Sequence, residues 1–97
     1  MSHPLGPLAD NFTAYAVYAT AQSEMRHAYA LIDAGQYLAA AAEITSAAKA
    51  AEVLARRTEL LDPERGRRWR KVALTRHRFA AHARARAAET HPLPEAA

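Results

Sequence analysis

The 97-residue sequence contains no cysteine, which excludes disulfide bonds and thiolate metal sites and fits a reducing compartment. Residues that favour strands are scarce, with valine at three positions and isoleucine at two. No apolar run approaches the roughly 18–20 residues of a membrane span. The first ten residues lack the basic and apolar regions of a signal peptide. These absences predict a cytoplasmic protein that does not associate with a membrane.

Alanine is abundant, with 26 of the 97 residues, and it is the strongest helix former. The composition therefore predicts an all-α fold, and the amount of alanine and arginine is typical of a GC-rich bacterial genome. Alanine buries little apolar area per residue, so the core depends on a few large side chains. Small domains with thin cores often gain stability by self-association, which makes a dimer an expected form of this chain.

Apolar residues recur at alternating spacings of three and four along three segments, which predicts three helices at about 10–34, 37–61 and 63–89. Short connections between helices of this length predict an up-down-up three-helix bundle. The bundle would occupy residues 9–90. Residues 1–8 would form an extended N-terminal arm and residues 91–97 a flexible C-terminal tail.

The predicted helix ends coincide with residues that start or stop helices. Asp10 or Asn11 can cap the first helix, and Gly35 suits the left-handed conformation just after its end. Asp62 is a favourable N-cap for the third helix, and Pro63 is suited to its first position. Gly66, in the first turn of that helix, is the one residue that disfavours it.

Two polar residues fall on the predicted inward faces, Gln22 on the first helix and Arg76 on the third. Matching levels across the turns places them close together, which predicts a buried polar layer. Because an unpaired buried guanidinium is very costly, Glu52 or Glu43 is the expected carboxylate partner. The alternative is that Arg76 extends past the edge of the core into water.

The helical hairpin around Gly35 contains the pattern Leu31-x-x-x-Gly35-x-Tyr37-x-x-Ala40. This pattern resembles part of the tetratricopeptide (TPR) repeat, although the tryptophan, the later aromatic residue and the final proline of that repeat are missing. The three-helix length and the same turn also resemble MIT domains. That resemblance implies a peptide-binding or scaffold role without catalytic residues, and a binding groove between helices 1 and 3 or between helices 2 and 3.

Aromatic and alanine residues give the first prediction of function. The chain is expected to bind a protein partner, or a second copy of itself, through faces of the first two helices that are rich in tyrosine and alanine. The candidate partner-binding residues are Tyr15, Tyr18, Tyr29 and Tyr37.

The distribution of charge gives an alternative prediction. Residues 1–48 carry a net charge of −3 (one base, four acids), and residues 49–97 carry +6 (twelve bases, six acids). Arginine-rich helix faces bind phosphates, so the third helix could bind nucleic acid or an acidic protein, although a merely solvated face would have the same composition. The residues of this face are Arg67, Arg68, Arg70, Lys71, Arg78 and Arg84.

No catalytic or cofactor pattern is apparent. Glu24 and His27 have the i,i+3 spacing found in di-iron helices, but few other inward carboxylates are available to complete a site. The sequence has no Gly-rich phosphate loop, no HExxH motif and no nucleophile with an evident partner base. The sequence therefore predicts a non-enzymatic protein with no metal, no cofactor and no small-molecule substrate.

Overall fold

In a computed structural model that describes residues 3–90, the chain forms three helices, α1 (Phe12–Asp33), α2 (Tyr37–Glu59) and α3 (Pro63–Thr90). A turn of 3₁₀ helix, Gly6–Leu8, precedes them, and no strand occurs in the described part of the chain. The all-α three-helix bundle predicted from the periodicity is confirmed. The predicted C-terminal tail, residues 91–97, lies outside the described residues.

The helices end where the local chemistry requires. The side chain of Asn11 accepts a hydrogen bond from the backbone N–H of Ala14 at 2.9 Å, so Asn11 is the cap of α1. Gly35 has φ +75°, and the backbone N–H groups of Gly35 and Gln36 donate to carbonyl groups in the last turn of α1. This arrangement satisfies carbonyls that the helix itself leaves unpaired.

Asp62 caps α3, as its position before Pro63 predicts. Its carboxylate accepts hydrogen bonds from the backbone N–H and from the side-chain Nε of Arg65, each at 3.2 Å. The pKa of Asp62 lies below its usual value, chiefly because the Arg65 backbone N–H donates to the ionised carboxylate. The charged form of Asp62 therefore favours the folded start of α3.

The core consists of two clusters along the bundle. The lower cluster surrounds Leu54 and Trp69, and the upper cluster surrounds Ile44. The remaining buried positions are mostly alanine, including Ala21, Ala47 and Ala48 at the level between the clusters. Because alanine faces allow close approach, α2 packs along both α1 and α3. The alanine-rich faces of α1 and α2, predicted to bind a partner, are largely used inside the bundle.

The level between the clusters contains the predicted polar pair. The Arg76 guanidinium donates to the backbone carbonyl of Ala47 at 2.9 Å and to Oε1 of Gln22 at 3.4 Å. Both side chains are half-buried rather than buried. The expected carboxylate is not there, because Glu52 pairs with His77 and Glu43 pairs with His27. Arg76 thus has features of both predicted arrangements. It forms hydrogen bonds inside the bundle, as in a polar layer, and its side chain is only half-buried, as at the edge of a core.

Residues 3–8 differ from the predicted extended arm. They fold into turns, and the side chain of Leu5 is fully buried in the lower cluster. The indole N–H of Trp69 donates to the carbonyl of Pro4 at 3.1 Å, and the guanidinium of Arg65 donates to the carbonyl of His3 at 2.9 Å. The physical reason is the thin core, because a leucine removes more apolar area from water than alanine can.

The helices α1 and α3 are less closely packed than the other neighbours. Their backbones stay apart along most of their length, whereas each packs closely on α2. Side chains bridge the gap at Tyr18 and Trp69, with ring centroids 6.1 Å apart, and at Tyr29 and Phe79, 5.8 Å apart. Within residues 3–90, none of the helices combines the length and apolar composition needed to cross a bilayer.

Candidate functional site

A groove runs between α1 and α3 on the side of the bundle away from α2. Its central part has a volume of about 500 Å³ and lies over an apolar floor formed by Met25, Tyr29, Val72 and Phe79. Phe79 also lines a smaller cavity of about 220 Å³ that extends toward Tyr37 at the end of the bundle. Together the two cavities form one groove, which we call the α1–α3 groove.

The groove exposes apolar side chains that would be buried in a closely packed bundle. Tyr29 is 55% exposed, and the side chains of Met25, Val72 and Phe79 are half-buried. Exposed apolar area grouped in a concave surface is typical of a binding site, whereas single exposed residues are common everywhere. This grouping distinguishes the groove from isolated exposed residues such as Leu38.

Positive charge surrounds the apolar floor. Arg26 lines the central part from α1, and Lys71 and Arg76 line it from α3. Arg86 lines the end of the groove, where its guanidinium carbon lies 5.4 Å from the centroid of the Tyr37 ring. No acidic side chain lines either cavity in the part of the chain that the structure describes.

The guanidinium of Arg76 is partly desolvated. Burial lowers its pKa, although nearby Tyr29 and Glu24 act in the opposite direction. An arginine side chain remains protonated in proteins at neutral pH, so the groove contains a partly desolvated positive charge. No carboxylate of residues 3–90 lies within ion-pair distance of this guanidinium.

The four predicted tyrosines divide into two groups. Tyr29 and Tyr37 line the α1–α3 groove. Tyr15 and Tyr18 lie at the lower end of the bundle, where the His3 ring packs against both, with centroids 5.8 Å and 5.2 Å away. The sequence places Tyr15, Tyr18 and Tyr29 on one stripe of α1 but does not show that residue 3 packs against the lower pair.

The predicted basic face of α3 is partly neutralised by local pairs. Arg68 pairs with Glu64, and Arg70 pairs with Glu59 at the end of α2. Arg84 donates to the hydroxyl of Thr45 at 3.3 Å. Three of the six predicted cations have no ion pair or hydrogen bond within residues 3–90, and their spacings of four and seven place them on one side of α3. These three are Arg67, Lys71 and Arg78.

Several groove residues were not recognised as functional from the sequence. The helical spacing of Val72 and Phe79 predicts core positions on the inward face of the third helix, and Met25 fits the inward stripe of the first. Arg26 carries no local signal at all. Helical periodicity reports which face is apolar, but it does not report whether a neighbouring helix covers that face completely.

Glu24 and His27, which have the spacing of di-iron ligands, are not joined by a further carboxylate into a metal site in the described part of the chain. His27 contacts Glu43 across the α1–α2 interface at 3.0 Å. Among residues 3–90, no group of three or more histidine, aspartate and glutamate side chains is placed to hold a metal ion.

Comparison with known proteins gives no further assignment. No protein-family model matches the chain, and no curated protein or solved structure matches it significantly.

Proposed function

We propose that this chain is a non-enzymatic, cytoplasmic interaction module that binds a helical segment of a protein partner in the α1–α3 groove. The observation that carries the proposal is the uncovered apolar floor between two helices whose backbones stay apart. A helix that enters such a groove buries the floor with its own apolar face, as in other helix-in-groove complexes.

The dimensions of the groove suit a helix. Its lining on α3 extends from Lys71 to Arg86. At 1.5 Å per residue this is roughly 22 Å, or about four turns of helix. Apolar and positively charged side chains line the groove together, so an amphipathic helix could bury its apolar face there and place polar residues against the charges.

A second copy of this chain is a less suitable occupant of the groove. Two copies facing each other through it would bring Arg26, Lys71 and Arg76 of both together, and like charges at close distance oppose association. The dimer predicted from the thin core would therefore require another surface.

The TPR-like and MIT-like pattern at Gly35 is compatible with this proposal. The turn from Leu31 to Ala40 fixes the antiparallel pairing of α1 and α2. Both implied grooves contain a cavity, of about 500 Å³ between the first and third helices and about 470 Å³ between the second and third, but the first has the larger apolar side chains in its lining. The cleft between α2 and α3 is crossed by the Arg70–Glu59 and His77–Glu52 pairs.

The experiment is a selection of displayed 16-residue peptides with leucine at positions 2, 5, 9 and 12 and variable polar positions. Purified full-length protein is the target, and fluorescence anisotropy measures the affinity of the selected peptides. We expect Tyr29→Ala to weaken binding about tenfold, because truncation of a central aromatic contact at an interface costs of the order of 1–2 kcal/mol.

The matched control is Leu74→Ala, which removes a half-exposed apolar side chain from the other side of α3. It should leave peptide affinity unchanged. The proposal is wrong if no selected peptide loses affinity in Tyr29→Ala, or if Leu74→Ala weakens binding as much.

A second candidate function is nucleic-acid binding by α3. The observation that favours it is the stripe of cations at Arg67, Lys71 and Arg78, which have no acidic partner within residues 3–90. Three contacts to phosphate would give a modest, strongly salt-dependent affinity. Trp69 is buried in the lower cluster, so base stacking on it would not contribute.

A further inference from the structure

We infer that the helix that occupies the α1–α3 groove is acidic, and that it places a carboxylate against the guanidinium of Arg76. This inference rests on the proposed function, because it specifies the chemistry of the partner that the groove binds. It identifies Arg76 as the residue that selects the partner, rather than as part of the core.

The bonding of Arg76 leaves donors unused. An arginine side chain has five N–H donors, and the structure gives this one two acceptors, the Ala47 carbonyl and the Gln22 amide oxygen. Every buried polar side-chain atom of the described residues has a partner. Nε of Arg76 has no acceptor among these residues, so it is not buried, and the side chain lines the groove.

The two existing bonds orient the guanidinium, chiefly through the 2.9 Å bond to Ala47. The carbonyl of Ala47 belongs to the middle of α2, and Gln22 is held from α1, where its amide N–H₂ also donates to the hydroxyl of Tyr18 at 3.4 Å. A guanidinium held at the level of the groove floor is preorganised, so a ligand does not have to order it. Bidentate pairing with a carboxylate is the strongest interaction that its planar fork provides.

Stability alone does not explain this arginine. Partial burial of a charged group costs free energy that an apolar side chain would not incur. The position lies between two apolar clusters, where methionine would fit the inward pattern of α3. A half-buried cation without a carboxylate gives the free protein no evident gain, and a carboxylate of a bound partner would supply the missing counter-charge.

The other charged side chains of the groove are also positive. Arg26 and Lys71 line its central part with Arg76, and Arg86 lies at the far end. Carboxylates on an amphipathic helix repeat every three or four residues and can reach several of these cations at once. The charge of the groove thus specifies acidic residues next to the apolar stripe of the partner helix.

The test uses the same peptide library with each polar position restricted to glutamate, glutamine or lysine in equal proportion. Selection on the wild-type protein should enrich glutamate. For the best peptide, replacement of its critical glutamate by glutamine should weaken binding to the wild type about tenfold. In Arg76→Gln the same replacement should change affinity less than threefold, because the charge it pairs with is gone.

Glutamine at position 76 keeps an amide donor on a shorter side chain, and circular dichroism checks that the variant folds. If it does not fold, Arg76→Lys provides the comparison, because it keeps the charge but loses the planar fork, so the same peptide replacement should weaken binding less than in the wild type. A merely structural role of Arg76 would lower the affinity for both peptides equally and leave their ratio unchanged.

The possible outcomes separate the two proposals. Peptides that depend on Tyr29 but carry glutamine or lysine would overturn the inference and keep the proposed function. Absence of any Tyr29-dependent peptide would overturn both. Glutamate-rich peptides whose binding is weakened by Arg67→Gln and not by Arg76→Gln would place the acidic contact on the outer face of α3 and overturn the inference.

Discussion

Gly66 illustrates how a single residue can be required for a reason that its own helix does not show. It lies buried in the first turn of α3, at the point where this turn crosses the end of α2. A Cβ atom at this position would lie 2.4 Å from Cβ and 2.8 Å from Cα of Glu59. The residue that disfavours the helix is therefore the one that allows α2 and α3 to approach.

Gly66→Ala tests this close approach. In an open helix, alanine would be more stable than glycine by about 1 kcal/mol. Here we expect the free energy of unfolding to fall by about 1–3 kcal/mol, as for other overpacked sites. Urea denaturation followed by circular dichroism measures the difference.

The reference for that experiment is Ala85→Gly, at an exposed position of the same helix. It should lower stability by about 1 kcal/mol through helix propensity alone. A rise in stability in Gly66→Ala would mean that the two helix ends can separate at little cost, contrary to the packing described.

At the level of elements, the N-terminal segment before α1 acts as part of the core. Leu5 is fully buried beside Leu54 and Trp69, and backbone carbonyls of His3 and Pro4 accept hydrogen bonds from α3. The segment is short and lacks regular periodicity, but it closes the lower end of a bundle whose helices supply mostly alanine. Its contacts join residues more than 60 positions apart.

Leu5→Ala should therefore destabilise the whole bundle. We expect a loss of about 2–3 kcal/mol in the free energy of unfolding, within the range for buried leucine truncations. Leu60→Ala is the matched control, because Leu60 is 83% exposed and its truncation should change stability by less than about 0.5 kcal/mol. Equal stability of the two variants would show that the segment does not contribute to the core in solution.

Across the whole molecule, positive charge is divided between two surfaces. One set of cations surrounds the apolar floor of the α1–α3 groove, and the other forms the stripe of Arg67, Lys71 and Arg78 on α3. Lys71 belongs to both. Both proposed functions therefore use a positively charged surface. They differ in apolar area, because a helix in the groove would bury the apolar floor and a nucleic acid on the stripe would not.

Salt dependence tests the nucleic-acid candidate. The ligands are labelled duplex and single-stranded oligonucleotides. If three phosphate contacts form, the affinity for the duplex should fall roughly 40-fold between 50 and 200 mM salt. Arg67→Gln combined with Arg78→Gln should remove most of this binding. Arg56→Gln combined with Arg57→Gln, on α2, changes the net charge equally and should have a much smaller effect. Absence of binding at 50 mM salt would contradict the candidate.

Local chemistry in the sequence determined the helices and most of their ends. Three- and four-residue periodicity gives the apolar faces, Gly35 supplies the positive φ that ends α1, and the Asp62-Pro63 pair starts α3. These signals depend on neighbours a few residues away, so they can be read without the fold. The proximity of Gln22 and Arg76 also followed, because helix lengths and short turns fix levels along a bundle.

Only the tertiary structure decided which faces stay open. Phe79 and Val72 have the spacing of core residues, yet they line a groove because α1 and α3 both pack on α2 more closely than on each other. Leu5 is buried because three alanine-rich helices leave space at one end. Glu52 and Glu43 pair with histidines across interfaces, which leaves Arg76 without a carboxylate within residues 3–90. Such contacts depend on the distances between helix axes, which helical periodicity does not specify.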